Sequence, residues 1–258
     1  MKPITDILSR FILVGRVAVS LLSGCAPVQR PRVIGPIATP QTFIVRTAGY
    51  SVHKRPIDIY IAGSGSETIL ILSTIHGNEQ AGVALSRKLM DRLRQRQELL
   101  EKYRLLIIPV ANPDGVAQNS RYNANGIDLN RNFPAANRQN SETFGHFPLS
   151  EPETRVLYNL INDYRPVRII SIHQPLKCID YDGPAEPLAR RMVMYCDLPV
   201  KKLGAQPGSF GAYVGQTLAI PIITMELERA DDRLTADQLW QRYGLALMAA
   251  ITYPEHPY

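Results

Sequence analysis

His76-Gly77-Asn78-Glu79 places an imidazole and a carboxylate three residues apart, and His173 supplies a second imidazole far along the chain. Two imidazole nitrogens and one carboxylate oxygen suit zinc, and they leave a fourth position open for water. A second group of reactive types is Arg121-Tyr122-Asn123-Ala124-Asn125-Gly126-Ile127-Asp128-Leu129-Asn130-Arg131-Asn132-Phe133-Pro134. Arginine suits bidentate recognition of a carboxylate, and it also stabilises an oxyanion. Arg121 and Arg131 could divide those roles. Each group alone has a plainer reading: His-x-x-Glu occurs by chance in surface loops, and the arginine run could be a solvated loop. His53, His146 and His256 lack a comparable setting and are expected on loops or the surface.

Placement separates the two readings. Strand-like runs are expected at Ile57–Ala62, Thr68–Thr74, Arg104–Val110, Val167–Ile172 and Ile220–Met225. They are short, apolar and β-branched, or they alternate. Helix-like runs are expected at Ala81–Leu100, Glu151–Tyr164, Pro187–Cys196 and Ala236–Ile251, with Pro152 suited to a first turn. Ala111–Leu149 shows no clear period. The alternation implies a layered α/β domain with a mostly parallel sheet, mixed at an edge. In such sheets ligands gather at the carboxyl ends of strands. His76 to Glu79 follows the Thr68 strand, and Asn112-Pro113-Asp114-Gly115 follows the Arg104 strand. His173 follows the Val167 strand, and Glu226 is expected to end the Ile220 strand. Four polar clusters on one edge imply a common site.

The 258 residues are 45% hydrophobic and 20% charged, which excludes a disordered chain. No uncharged apolar run approaches the ~20 residues of a membrane-spanning helix. The net charge of +6 comes from scattered arginines, so nucleic acid is not an expected partner. Lys2 and Arg10 precede an apolar stretch, Phe11–Leu22, which Arg16 interrupts, and Leu22-Ser23-Gly24-Cys25 resembles a lipoprotein cleavage site. Residues 1–25 are therefore a suspected signal and lipobox segment, with Cys25 the residue to be lipidated; a non-cleaved helix is the alternative. Residues 26–42, with Pro27, Pro31, Pro36 and Pro40, read as an extended linker, and 43–258 as the catalytic domain. A lipid on Cys25 would be the one link to a membrane. Three cysteines cannot make a disulfide scaffold, although Cys178 and Cys196 could pair in an oxidising envelope.

HGNE, NPDG, RYNANGIDLNRNFP, SIH and TMEL occur in the order seen in zinc metallocarboxypeptidases, which the chain resembles from about Phe43 to its C-terminus. NANGIDLNRNFPAAN, SEPET, SIHQPLKCID and QPGSFGAY resemble the branch that hydrolyses the γ-D-Glu–meso-diaminopimelate amide of cell-wall (murein) peptides. The resemblance implies a three-layer α/β/α fold around a mixed, mostly parallel sheet, one Zn2+ and a murein peptide substrate. It implies that His76, Glu79 and His173 hold the zinc and that Glu226 is the general base. Arg121 would polarise the scissile carbonyl, Asn130 and Arg131 would grip a substrate carboxylate, and Asp128 would orient a zinc-bound histidine. Glu228 competes with Glu226, since strand alternation puts both on one face; the TMEL context favours Glu226. The capping tyrosine of the digestive branch has no counterpart in Lys201–Gly208, and Tyr213 reads as a packing aromatic. Other readings are a carboxypeptidase on ordinary peptides, a deacylase resembling succinylglutamate desuccinylase or aspartoacylase, and a non-catalytic murein-binding lipoprotein. The lipobox implies the bacterial envelope or periplasm, whereas the murein branch implies the cytoplasm.

Overall fold

The computed structural model describes residues 43–257; the suspected signal and lipobox segment with Cys25, and the linker at 26–42, lie outside the described residues. The strands are β1 (Ile44–Tyr50), β2 (Pro56–Ala62), β3 (Glu67–Ser73), β4 (Tyr103–Ile108), β5 (Arg168–His173), β6 (Leu176–Asp182) and β7 (Ile222–Glu228). They form one sheet in the order β1-β2-β4-β3-β5-β7-β6. β4, β3, β5 and β7 run parallel at its centre. β1, β2 and β6 attach through antiparallel pairings. The sheet is thus mixed, with a parallel core. The antiparallel share is larger than the sequence suggests, because β1 and β6 are strands its periodicity does not announce.

Side-chain alternation explains the layers. Ile69 and Ile71 of β3 pack in one core cluster with Leu85, Leu89, Leu188 and Leu247. These come from α1 (Ala81–Leu93), α5 (Glu186–Met192) and α6 (Ala236–Thr252), and α2 (Gln97–Lys102) adds Leu99 and Leu100 to the same layer. Leu70 and Leu72 point the other way, onto Leu157 and Leu160 of α4 (Pro152–Tyr164). The rest of that second layer is irregular chain anchored by aromatics. Phe133 packs on Phe210 at 4.9 Å between ring centroids and lies stacked on Tyr213 at 6.1 Å. Tyr213 is therefore a packing residue, as its setting in the sequence suggests.

Three segments depart from expectation, as does the cysteine pair. The helix expected at Ala81–Leu100 is broken: α1 stops at Leu93, and α2 restarts at Gln97. Arg94, Gln95 and Arg96 carry nothing to bury there, so the chain turns. Ala111–Leu149 holds a short helix, α3 (Pro113–Gln118), and a 3-10 turn at Leu129–Arg131. Both are set by capping side chains rather than by apolar periodicity. β7 starts at Ile222, after Pro221 and the left-handed Ala219, and runs on to Glu228. Glu226 consequently sits inside that strand rather than at its end. Cys178 and Cys196 are both free thiols, so the disulfide does not form.

Candidate active site

The site grows from the carboxyl ends of β3, β5 and β7. β3 ends at Ser73, whose hydroxyl donates to the Pro109 carbonyl at 2.6 Å. The chain then turns through His76 to Glu79, closed by the Glu79 N–H donating to the His76 carbonyl at 3.2 Å. Gly77 is required in this turn by space. A Cβ there would lie 2.0 Å from the backbone carbonyl carbon of Gly115. Gly115 belongs to α3, whose N-cap is Asn112: its side chain accepts from the Gly115 N–H at 2.8 Å and donates to the Ile75 carbonyl at 3.2 Å. HGNE and NPDG are thus the two halves of one close backbone contact. Asp114 anchors α3 from below, accepting from the His53 N–H at 2.9 Å and from Arg55 Nη1 at 2.5 Å.

His76, Glu79 and His173 converge although His173 closes β5, a separate strand. Glu79 Oε1 lies 2.8 Å from His76 Nδ1, and Glu79 Oε2 lies 2.8 Å from His173 Nδ1. The Gln174 N–H also donates to Glu79 Oε2, at 3.2 Å. One ligand atom from each of the three residues falls within 4.8 Å of the others, and all three side chains are buried. Two imidazoles and a carboxylate so placed fit a zinc ion with one position left toward the cleft. Burial works against the Glu79 anion, but the imidazoles beside it prevail and hold its pKa at about 2. Burial likewise opposes a charged His76, yet its contacts with Asp128 and Glu79 raise its pKa.

Asp128 connects this centre to the arginines. Its Oδ1 lies 3.1 Å from His76 Nε2, and its Oδ2 accepts from Arg121 Nε at 3.0 Å. Arg121 Nη2 reaches the same oxygen at 2.9 Å. The Asn130 N–H donates to Asp128 Oδ1 at 2.9 Å, which starts the 3-10 turn. Against the penalty of burial, His76 and the two arginines hold the Asp128 carboxyl well below the usual range. Asn130 Oδ1 accepts the Phe210 N–H at 2.8 Å. Arg131 lies over the Phe144 ring at 5.9 Å.

A cavity of about 410 Å³ is lined by His76, Glu79, His173, Arg121, Asn130, Arg131 and Glu226. Of the eight residues to which the resemblance assigns a role, only Asp128 is absent from its wall, and it touches His76 and Arg121 from behind. Glu226 lies directly opposite His173 in the β5–β7 pairing and accepts the Leu176 N–H at 3.2 Å. Burial pushes its carboxyl pKa up, the direction that suits a proton acceptor near neutrality. Glu228 does not line the cavity; it is bound by Lys177 at 2.7 Å and Arg242 at 3.0 Å. Sequence reasoning missed Gln174, Asp180, Asp182, Ser209 and Thr224, which complete the wall or support it. The signal for the aspartates was their period-two spacing in a strand that was not anticipated.

A profile of the family described as "Zinc carboxypeptidase" matches residues 37–182. Murein peptide amidase A of Escherichia coli (strain K12) is 33% identical over 228 residues, which cover 81% of this chain and 89% of that protein. The crystal structure of the murein-tripeptide amidase from Escherichia coli O157 matches with a TM-score of 0.64 at 30% identity, over 88% of this chain and 97% of that one. Carboxypeptidase A from Helicoverpa armigera matches with a TM-score of 0.70 over 83% of this chain and 69% of that one; at 21% identity the likeness is one of fold.

Proposed function

Because the chain belongs to the zinc carboxypeptidase family, we propose that this hydrolase cleaves the γ-D-Glu–meso-diaminopimelate amide of murein peptides. One observation carries the reading. A chain similar to murein peptide amidase A over most of both lengths gathers a metal triad, a buried glutamate and two arginines around one cleft. His76, Glu79 and His173 would hold the zinc, which when bound supplies a Lewis acid for the scissile carbonyl and the attacking water. Glu226 takes a proton from that water as its oxygen bonds to the carbonyl carbon, and returns it to the amine that leaves. Arg121, fixed by Asp128, donates to the carbonyl oxygen as negative charge develops there. Asn130 and Arg131 hold a carboxylate of the residue to be released.

Incubating the full chain, loaded with zinc, with L-Ala-γ-D-Glu-meso-diaminopimelate should release diaminopimelate, detected by mass spectrometry and abolished by a chelator. No release from zinc-loaded protein would reject the reading. Equal release from an L-α-linked peptide would leave a carboxypeptidase of broader scope. We place this activity in the bacterial envelope on the strength of the Leu22–Cys25 pattern. Cys25→Ser should then move the protein out of the membrane fraction, and an unchanged distribution would reject the anchor.

A further inference from the structure

A second, smaller cavity of about 80 Å³ opens beside the cleft, and its wall holds Glu79, Arg121, Gln174, Arg229 and Asp232. Glu79, Arg121 and Gln174 belong to both cavities, so the two meet at the guanidinium assigned to the scissile carbonyl. Asp128 takes Arg121 Nε and Nη2, which leaves Nη1, 3.9 Å from Glu79 Oε1, as the uncommitted donor. Asn130, Arg131 and Glu226 line the larger cavity alone. A residue whose carboxylate rests on Asn130 and Arg131 therefore fills the larger cavity. The acyl part of the amide then leaves Arg121 on the side of the smaller one.

Within that smaller cavity Arg229 is the cation without a partner. It is exposed, and its guanidinium forms no hydrogen bond or ion pair with another described residue. Glu79 is committed elsewhere, with each oxygen 2.8 Å from an imidazole nitrogen. Asp232 accepts the Ala81 N–H at the start of α1 at 3.1 Å and stands outside ion-pair distance of Arg229. The backbone that carries Arg229 is nevertheless fixed. β7 ends at Glu228, whose N–H donates to Asp231 Oδ2 at 2.9 Å, and the Tyr243 hydroxyl donates to the same oxygen at 2.6 Å. Asp231 is fully buried, so the 3-10 turn Arg229–Arg233 starts from a held position. The cavity thus offers two guanidiniums, one pinned by Asp128 and one unpaired on a pinned turn, a pairing that suits a carboxylate. An amide made through a γ-carboxyl supplies one there, because a short carbon chain joins the scissile carbonyl to the free α-carboxylate. An α-linked residue with a neutral side chain supplies none.

We propose that Arg229 sets specificity on the acyl side, by binding the free α-carboxylate of a glutamate whose γ-amide is cleaved. This rests on the reading that the amide is hydrolysed at the His76–Glu79–His173 centre, and it gives that reading a reason for the γ-linkage. The probes are L-Ala-γ-D-Glu-meso-diaminopimelate and the same tripeptide with the glutamate α-carboxylate made a carboxamide, which keeps the shape and removes the charge. In turnover by the zinc-loaded full chain, kcat/KM should be roughly 10-fold higher for the carboxylate peptide, chiefly through KM. Arg229→Gln should lower that peptide to the level of the carboxamide and leave the carboxamide unchanged, and Arg229→Lys should restore part of the difference. Arg233→Gln removes a like charge from the same turn but outside the cavity wall, and it should leave the ratio intact. Equal kcat/KM for the two peptides would overturn the proposal. So would an equal loss on both in Arg229→Gln, or the same loss in Arg233→Gln, which would mark a general field. Binding separates the proposal from the hydrolase reading. In calorimetry, the wild-type protein should bind the dipeptide L-Ala-D-Glu roughly 10-fold more tightly than its α-carboxamide, and Arg229→Gln should abolish the difference. Equal binding, or none, would overturn the proposal. Selective binding without turnover of any peptide would remove the hydrolase reading and leave Arg229 as the carboxylate's partner.

Discussion

Asp128 has one oxygen on His76 and the other on Arg121, so on the proposed reading a single carboxylate orients a metal ligand and an oxyanion donor together. Asp128→Asn should weaken zinc binding by roughly 10- to 100-fold and lower kcat/KM further, because Arg121 loses its partner. Metal titration alongside steady-state kinetics checks both parts; unchanged zinc affinity would show that His76 orients itself. Glu226→Gln should cost roughly 10²- to 10⁴-fold in kcat while the zinc content stays at the wild-type level. Glu228→Gln should stay near wild type, since Lys177 and Arg242 hold that carboxylate away from the cleft. The reverse pattern in a paired assay would exchange the two roles. His76, Glu79, His173 and Glu226 were legible in the sequence because reactive types rarely follow strand after strand without a shared purpose. The choice of Glu226 over Glu228 came only from the TMEL context of the resemblance. Alternation gives them one face, and in the structure the cleft lining and the partners of Glu228 separate them. Asp180 was not legible. Its strand mixes Lys177, Cys178 and Tyr181 with the aspartates and shows no clear apolar face.

Among the elements, the contact of the β3–α1 turn with α3 is the one that positions His76 and Glu79, the proposed metal ligands. Gly77→Ala would drive a methyl group into the Gly115 backbone, which cannot yield as a side chain tip would. A loss of about 1–3 kcal/mol is expected in urea denaturation, with zinc affinity falling in step. A neutral result would mean that α3 can shift without disturbing the ligands. Asp114 secures the same helix through His53 and Arg55. Burial alone would raise its pKa, but the hydrogen bonds from His53 and Arg55 outweigh this and lower it. A carboxyl with a depressed folded pKa adds stability that is present above its unfolded value. That stability is lost as pH falls through the folded one. Wild-type stability should therefore decline below about pH 4, and Asp114→Asn should be less stable at neutral pH with a shallower acid decline. Parallel slopes in the two proteins would show that Asp114 does not titrate in this window. Strands with strong β-branched runs were readable from sequence. β1 was not, because as an edge strand it leaves Ile44 and Val45 exposed and carries little period. The break between α1 and α2 was hidden because arginine and glutamine favour helix locally, and only the lack of a surface to pack against ends it.

At the scale of the whole molecule, the layers follow from alternation in the central strands, and this much was written in the apolar runs. What they do not encode is the aromatic plug of Phe133, Phe210 and Tyr213, which closes the second layer with irregular chain. Zinc bound only by the folded state should stabilise the entire domain: at a free concentration 1,000 times Kd the gain is about 4 kcal/mol. Scanning calorimetry should show a higher Tm with zinc and a lower one with chelator, and an unmoved Tm would mean that the ion is not held by the native triad. The triad has one further implication, for biosynthesis. Its members stand at 76, 79 and 173, and β5 must lie against β3 before the third can join the first two. A growing or translocating chain therefore offers only an isolated His-x-x-Glu pair. The choice of ion is deferred to the moment of tertiary closure, so the metal pool of the compartment where folding is completed decides what the site receives.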